Sequence, residues 1–312
     1  MYQGDELCSK LVRQQISLWI EEPVTHLQVN TSGWSNNILK VNHRWVLRIP
    51  KPLTHKHTHQ ILRPRLPLEK YVLDRLADTD VGALLPKAEL YKLQLGEAHL
   101  EVMLYPRLPG EHLKAGSKVS TSAATQLGHF LARLHSLNNL SPRITSYPYG
   151  DEDLPGELLS AVSALLPKST VDSARRYFTE WYPQWEQHQH FLVCCHNDLG
   201  KANLLFEPDQ QRVAGVLDFS DICLAEPARD FAALARIMTP ETFKRAVAAY
   251  RKTGSDSLWQ ALQPDSLPRR MQYYQRRKAI FVVWYAVTFG QPYGFTSQIS
   301  NHLAWLSAEF GE

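Results

Sequence analysis

FLVCCHNDLGKANLLF, residues 191–206, sets a cluster of polar residues between two short apolar runs. Apolar runs of four to eight residues bounded by turn-formers read as buried strands. FLVCC is one such run, and VAGVLDF at residues 213–219 is a second. His196, Asp198 and Asn203 lie between them, and the second run closes on Asp218. A hairpin-like return of the chain sets Asp218 beside Asn203. Four polar side chains then gather at the ends of short strands, which is an arrangement for chemistry rather than for packing.

Toward the N-terminus the pattern changes twice. Residues 5–20 have helical spacing, with Leu7, Leu11, Ile16 and Ile20 on one side. The period then falls to two. THLQVN, NNILKVN and RWVLRIP read as strands, with a turn at Asn42-His43 between the last pair. LPLEKYVLDRLA returns to helical spacing through Leu68, Val72, Leu73 and Leu76, and KAELYKL and AHLEVMLYPRL are again strand-like. In HKHTHQILRPR, His55, His57 and His59 alternate as strand metal ligands would. They have no Cys or carboxylate nearby, so an exposed loop is the reading.

Beyond Pro109 the strand signal fades. TSAATQLGHFLARLHSL is a strong helix, with Leu127, Phe130, Leu131 and Leu134 in register, and from 226 onward the chain reads helical with breaks at Pro240, Pro264 and Pro268. Strands first and helices after predict an α+β fold of two lobes, 1–106 and 107–312. A seam between such lobes is a common place for a ligand.

Composition narrows the function classes. The 312 residues are 44% hydrophobic and 21% charged, enough apolar content for a large core. The net charge of +3 is too small to argue for nucleic acid, and RRMQYYQRRK at 269–278 reads as a coated helix face. The cysteines at 8, 194, 195 and 223 form no CxxC, so a reducing, cytoplasmic setting is expected. No apolar stretch approaches 18 residues, so no membrane partner is expected.

The chemistry rests on HNDLGKANLL with GVLDFSD. Asn203 and Asp218 offer hard oxygen ligands, which suit Mg²⁺ bound together with nucleotide phosphates. Asp198 then remains to accept a proton from, or to orient, a hydroxyl. A carboxylate beside an Asn/Asp metal clamp is the arrangement of kinase-type phosphoryl transfer. Lys201 lies inside the same loop and either touches the transferred group or is simply solvated.

H-x-D-x-x-x-x-N followed by a short strand ending in Asp-Phe resembles the aminoglycoside phosphotransferase and choline kinase superfamily. The likeness extends over most of the chain. GWSNNILKVNHRWVLRIPK is similar to its nucleotide-loop strands, EKYVLDRL to its regulatory helix, YPRLPG to its hinge, LGHFLARLHSL to its first large-lobe helix, and LAEPARDFAAL to its post-metal segment. The resemblance implies a bilobal, protein-kinase-like fold with an antiparallel β N-lobe and a mostly helical C-lobe. It implies Asp198 as the catalytic residue, Asn203 and Asp218 as Mg²⁺ ligands, and His196 and Asp230 as structural braces of the loop.

On the nucleotide side, the usual third-strand Lys is replaced here by Arg48, as in macrolide phosphotransferases, with Glu69 as its partner. Lys51 has the opposite strand parity from Arg48. Ser35 and Asn36 stand where phosphates would be met, although SGWSNN has a single glycine and reads equally well as a plain hairpin. Tyr105 takes the gatekeeper place, and Pro106, without an N–H, leaves its carbonyl and the Leu108 N–H to read the purine, so ATP and GTP both fit.

Only eleven residues separate Asp218 from Asp230, too few for the activation segment of a protein kinase. The activity expected is transfer from a Mg-nucleotide to a hydroxyl of a small molecule, such as an aminoglycoside or a macrolide. The alternatives are a metabolic amino-alcohol or sugar kinase and a catalytically silent relative. Residues 241–312 carry nine Lys and Arg against five carboxylates, which disfavours a polycationic acceptor, while the carboxylates of DEDLPGE at 151–157 leave a lining for one open. FVVWYAVTFG at 281–290 is either a core helix or an apolar wall for a ligand.

Overall fold

Strict alternation in the first third of the chain produces a sheet. The computed structural model describes residues 4–33, 35–51, 53–54, 61–62, 65–144, 156, 158–186, 192–289 and 296–311. Two units are distinguished, one built from Met1–Leu108 and the other from Pro109–Gln291 with Phe295–Glu312.

In the first unit, α1 (Gly4–Leu7) and α2 (Lys10–Ile20) precede three strands, β1 (Leu27–Asn30), β2 (Asn36–Val41) and β3 (Trp45–Pro50). The short strands β4 (Leu53–Thr54) and β5 (Ile61–Leu62) pair with each other, and α3 (Leu66–Ala77), β6 (Glu89–Leu95) and β7 (Ala98–Pro106) complete the unit. The main sheet is antiparallel, ordered β1-β2-β3-β7-β6. Ser9 caps α2 by accepting from the Val12 N–H. Val12, Ile16 and Ile20 of that helix join Leu39, Val41, Leu47 and Ile49 of β2 and β3 in one apolar core. Each such side chain contributes about 1.5–3 kcal/mol on burial.

The β2–β3 connection is made by Asn42 and His43, both with positive φ (47° and 58°), which Asn tolerates better than most residues. The Asn42 side chain also accepts from the Thr25 and His26 N–H groups, fixing the entry to β1. Alternation then puts Arg48, between Leu47 and Ile49, on the other face of β3. His55, His57 and His59 lie outside the described residues.

The second unit begins with α4 (Thr121–His135), α5 (Leu159–Val162) and α6 (Lys168–Glu186). Four short strands follow, β8 (Val193–Cys195), β9 (Leu204–Phe206), β10 (Val213–Val216) and β11 (Cys223–Ala225), then helices α7 (Ala228–Ala235), α8 (Pro240–Thr253), α9 (Asp256–Leu262), α10 (Leu267–Phe289) and α11 (Thr296–Phe310). The strands pair as β9 with β10 and β8 with β11, both antiparallel. The architecture is therefore α+β, with a β-rich first unit and a helical second.

Close packing fixes this framework. Gly128 of α4 lies so near the backbone of α8 that an added Cβ would fall 2.0 Å from the Ala246 carbonyl oxygen. Gly110, at φ 99°, lies against the Phe206 carbonyl, where Glu111 and Phe206 exchange backbone hydrogen bonds of 2.8 and 2.7 Å.

Helix α10 corrects the reading of its charged segment as a coated face. Arg270 is 1% exposed and Arg277 4%. Arg270 is held by Glu226 at 3.2 Å and by the Leu262 and Gln263 carbonyls. The aromatic run that follows resolves as core, with Phe281, Val283 and Trp284 buried. Among the described residues no helix is long and apolar enough to cross a membrane.

Candidate active site

Strand β8 delivers the chain into a loop fixed almost entirely by hydrogen bonds. His196 is fully buried, and its Nε2–H donates to the Leu217 carbonyl at 3.0 Å while Nδ1 accepts the Asp198 N–H at 3.3 Å. Asp230, on the first turn of α7, accepts the His196 and Asn197 N–H groups, each at 2.8 Å. It is also 3.1 Å from His135 Nε2 of α4, whose Nδ1 meets the Tyr250 hydroxyl of α8 at 3.0 Å. Burial opposes the charge of Asp230, but His135 and then His196 overcome it and hold its pKa below the usual carboxylate value. Cys195 completes this buried cluster. Its thiol donates to the Ala225 and Glu226 carbonyls, and burial raises its pKa.

Two non-glycine residues here take left-handed backbone conformations, Asn197 (φ 67°) and Asp218 (φ 60°). Such strain persists where surrounding contacts over-determine it, and it clusters at functional sites. The Asp198 carboxylate follows Asn197 directly. Its Oδ2 accepts from Asn203 Nδ2 at 2.9 Å, and its Oδ1 lies 3.1 Å from Lys278 Nζ on α10. Asn203 Nδ2 also donates to the Asp198 carbonyl at 2.8 Å, which turns the amide oxygen away from Asp198. The Leu217 N–H donates to the Asn203 carbonyl at 2.8 Å, bringing the Asp218 turn to Asn203. Ser220 Oγ donates to Asp218 Oδ1 at 2.7 Å.

Asp221 is the acidic residue that the sequence reading passed over. Its pKa is raised to about 6, first by burial and then by the neighbouring charges of Asp198 and, less strongly, Asp218, with Lys278 acting in opposition. Asp198 and Asp218 are thus near enough for their charges to act on Asp221, and with the Asn203 amide oxygen these carboxylates are hard oxygen donors. The residues present fit Mg²⁺.

In the first unit, Arg48 and Glu69 form a buried ion pair between β3 and the first turn of α3. Lys51 is also buried and donates to the Thr31 and Gly33 carbonyls, bracing the loop before β2. Desolvation lowers its pKa. Asn36 Nδ2 donates to Ser35 Oγ at 3.1 Å, and Ser35 accepts the Lys51 N–H through its carbonyl at 2.8 Å. Asn36 shares the face of Arg48, and its buried Oδ1 has no hydrogen-bond partner among the described residues. Tyr105 is buried on β7 opposite Val46, and Pro106 is opposite Trp45. Leu108 closes the unit, next to Arg107, whose N–H donates to the Arg44 carbonyl at 2.7 Å.

A profile of the phosphotransferase enzyme family matches residues 26–264, more than half of the chain. The chain belongs to that family. No curated protein matches it by sequence. Among solved structures it is similar to the GDP complex of an aminoglycoside 2'-phosphotransferase-IIIa, with a TM-score of 0.70, 18% identity and coverage of 98% of this chain and 99% of that one. It is also similar to APH(2")-IIia bound to GDP and kanamycin, with a TM-score of 0.66, 18% identity and coverage of 96% and 98%. Macrolide 2'-phosphotransferase MphH from Brachybacterium faecium, as apoenzyme, gives a TM-score of 0.58, 19% identity and coverage of 95% and 97%. The fold is that of these phosphotransferases.

Within the second unit of this family member, Asp198 opens onto a cleft of about 380 Å³. Asn203 and Lys201 line it from the loop side, and Tyr274, Arg277 and Lys278 from α10. Lys278 was hidden in the sequence within a run of basic residues. The sequence did carry a signal for the buried face beside it: Arg270, Tyr273, Tyr274 and Arg277 follow the i, i+3, i+4, i+7 spacing, with Lys278 one position off that face.

Proposed function

We propose that this protein is a small-molecule kinase that moves the γ-phosphoryl group of ATP or GTP to a hydroxyl of its acceptor. The observation that carries the reading is Asp198. Both its carboxylate oxygens are oriented, by Asn203 and by Lys278, while its side chain remains 42% exposed at the mouth of a cleft. That is the placement required of a group that accepts a hydroxyl proton.

In the step proposed, the acceptor oxygen forms a bond to the γ-phosphorus as the bond from that phosphorus to the β-bridging oxygen breaks. The hydroxyl proton passes to Asp198, and the nucleoside diphosphate leaves with the electron pair. Asn203 and Asp218, with Asp221 beside them, would hold Mg²⁺, which supplies charge neutralisation on the phosphates. Arg48, positioned by Glu69, would neutralise phosphate charge, with a guanidinium in place of the usual ammonium. Ser35, Asn36, Tyr105, Pro106 and Leu108 would surround the nucleotide. His196 and Asp230 brace the loop and take no part in proton transfer, because His196 is buried and both its ring nitrogens are engaged.

Solved relatives of this fold hold GDP, ADP, kanamycin or gentamicin, so phosphorylation of an antibiotic is the nearest precedent. The test compares two variants. Asp198→Ala should lower transfer about 10²–10⁴-fold, the usual contribution of acid–base catalysis, with Mg-nucleotide affinity nearly intact. Asp218→Ala should instead weaken Mg-nucleotide binding in calorimetry. Loss of nucleotide binding in the first variant and its retention in the second would reverse the assignments.

A further inference from the structure

Lys278 reaches Asp198 from α10. Its Nζ donates to Asp198 Oδ1 at 3.1 Å, and the two side chains, 36% and 42% exposed, both line the cleft. The backbone beneath Lys278 is fixed, because Arg277, Ala279 and Ile280 on either side are buried. The ammonium itself is lightly held. It has three N–H donors, and among the described residues Asp198 takes the one hydrogen bond it makes. The Phe281 ring, one turn on, lies 5.8 Å from Nζ, a soft cation–π contact.

The buried cations of the same cleft are committed elsewhere. Arg277 lies over the Phe281 ring at 5.6 Å, and Arg229 over the Tyr274 ring at 5.2 Å with a contact to Cys223 Sγ. The charge of Lys278, by contrast, reaches the metal side of the loop. It opposes the rise that burial first, and then Asp198 and Asp218, impose on the pKa of Asp221. One ammonium therefore stands within electrostatic reach of both the base and the hard oxygen donors.

We infer that Lys278 is a second catalytic residue, whose ammonium passes from Asp198 to the transferred phosphoryl group during the step. The inference deepens the kinase reading above and rests on it. It follows from what the step does to charge. Before transfer, Asp198 is a carboxylate and Lys278 is its counter-ion. The acceptor oxygen then bonds to the γ-phosphorus as the bond to the β-bridging oxygen breaks. The hydroxyl proton goes to Asp198, and the electron pair of the broken bond leaves with the nucleoside diphosphate. Asp198 is now neutral, so Lys278 loses its ion pair just as anionic phosphoryl oxygens arrive beside it.

The distances suit this exchange. An acceptor oxygen bonded to Oδ1 lies within two hydrogen-bond lengths, roughly 6 Å, of Nζ. Rotation about the lysine stem brings Nζ toward the phosphoryl oxygens without movement of α10. An interaction that strengthens only as the step proceeds lowers its barrier. Lysine is also the residue for the task, since a compact charge with rotatable donors changes partners more readily than a planar fork.

The experiment uses the full chain and aluminium fluoride, a mimic of the phosphoryl group in transfer, bound together with Mg·ADP or Mg·GDP. Affinities are measured by calorimetry in an Asp198→Asn background, which removes the carboxylate that a merely positioning lysine would act through. Adding Lys278→Met should weaken fluoroaluminate binding at least about tenfold, the scale of one charge-assisted hydrogen bond. Lys278→Gln repeats the measurement with a polar side chain, and Lys278→Arg, which keeps the charge, should recover part of the loss. Affinity for the Mg-diphosphate alone should stay nearly constant throughout, which also reports that each variant is folded. Lys201→Met, which removes an exposed and screened charge from the loop, should change fluoroaluminate binding less than about threefold.

Fluoroaluminate affinity that ignores Lys278, or that falls with Lys201→Met instead, would overturn the inference and leave Lys278 as a brace for Asp198. Binding of the Mg-diphosphate with no uptake of fluoroaluminate would overturn it as well. All three outcomes leave the kinase reading standing. Failure of the parent chain to bind either Mg-diphosphate would overturn the kinase reading itself.

Discussion

Buried charge is matched over different distances along the chain in the two units. In the first, each buried cation meets its acceptors locally: Arg48 faces Glu69, and Lys51 faces two backbone carbonyls. In the second, the partners come from far along the chain: Arg270 is matched by Glu226 and Lys278 by Asp198, while Arg277 and Arg229 lie over the Phe281 and Tyr274 rings. Matched charge holds a fold in place. Long-range pairs do so across elements, since a buried charge left unmatched costs several kcal/mol per ion.

The sharpest way to break the comparison is at Arg48. Arg48→Ala would leave Glu69 buried without its cation, and such a loss costs about 3–5 kcal/mol. Urea unfolding should report that loss, and transfer at saturating nucleotide should fall by orders of magnitude. The double variant Arg48→Met with Glu69→Leu should recover most of the stability and none of the activity, because apolar residues of similar volume replace a buried pair well. Recovery of activity in the double variant would remove Arg48 from the phosphate role.

A smaller effect is expected at Asp230. Asp230→Ala strands the His196 and Asn197 N–H groups, at about 1–3 kcal/mol for each unsatisfied buried group. The pH dependence has a definite sign. The folded pKa of Asp230 lies below its unfolded value of about 3.9, so its contribution is complete above that pH and is lost as pH falls through the folded pKa. Acid unfolding of Asp230→Asn should therefore be shallower below about pH 4 than that of the parent chain. An identical slope would show that Asp230 is not charged in the fold.

The least effect belongs to Lys51. Lys51→Met removes the donor from two carbonyls and should cost about 1–2 kcal/mol while leaving transfer within a few-fold. A dead Lys51→Met beside an active Arg48→Ala would exchange their roles.

Much of this was legible in the residues because local rules and tertiary needs agreed. The alternation of NNILKVN and RWVLRIP placed β2 and β3, and Asn42-His43 supplied the turn that joins them. The H-x-D-x-x-x-x-N spacing located the loop. What was not legible depended on contacts from far along the chain. Lys278 is eighty residues from Asp198, and nothing near Lys278 marks it off from its basic neighbours. RRMQYYQRRK reads as a solvated face by composition alone, yet its Arg270 and Arg277 occupy core-facing positions where aliphatic residues are the rule. FVVWYAVTFG carried both possibilities until neighbouring helices covered it. Asp221 went unremarked because its raised pKa is a property of assembly, not of sequence.

One position on α7 joins the themes. Arg229 and Asp230 are adjacent residues, one lining the cleft and the other clamping the loop to α4. A helix turns about 100° per residue, so the two side chains leave it in different directions. Arg229 nevertheless stays tied to the framework that the clamp serves, through Cys223 Sγ of β11 and the Tyr274 ring. Substitution at 236, exposed just beyond the helix, would retune the rim of the cleft without loosening the clamp, which makes that position the natural dial for evolving, or engineering, new acceptors.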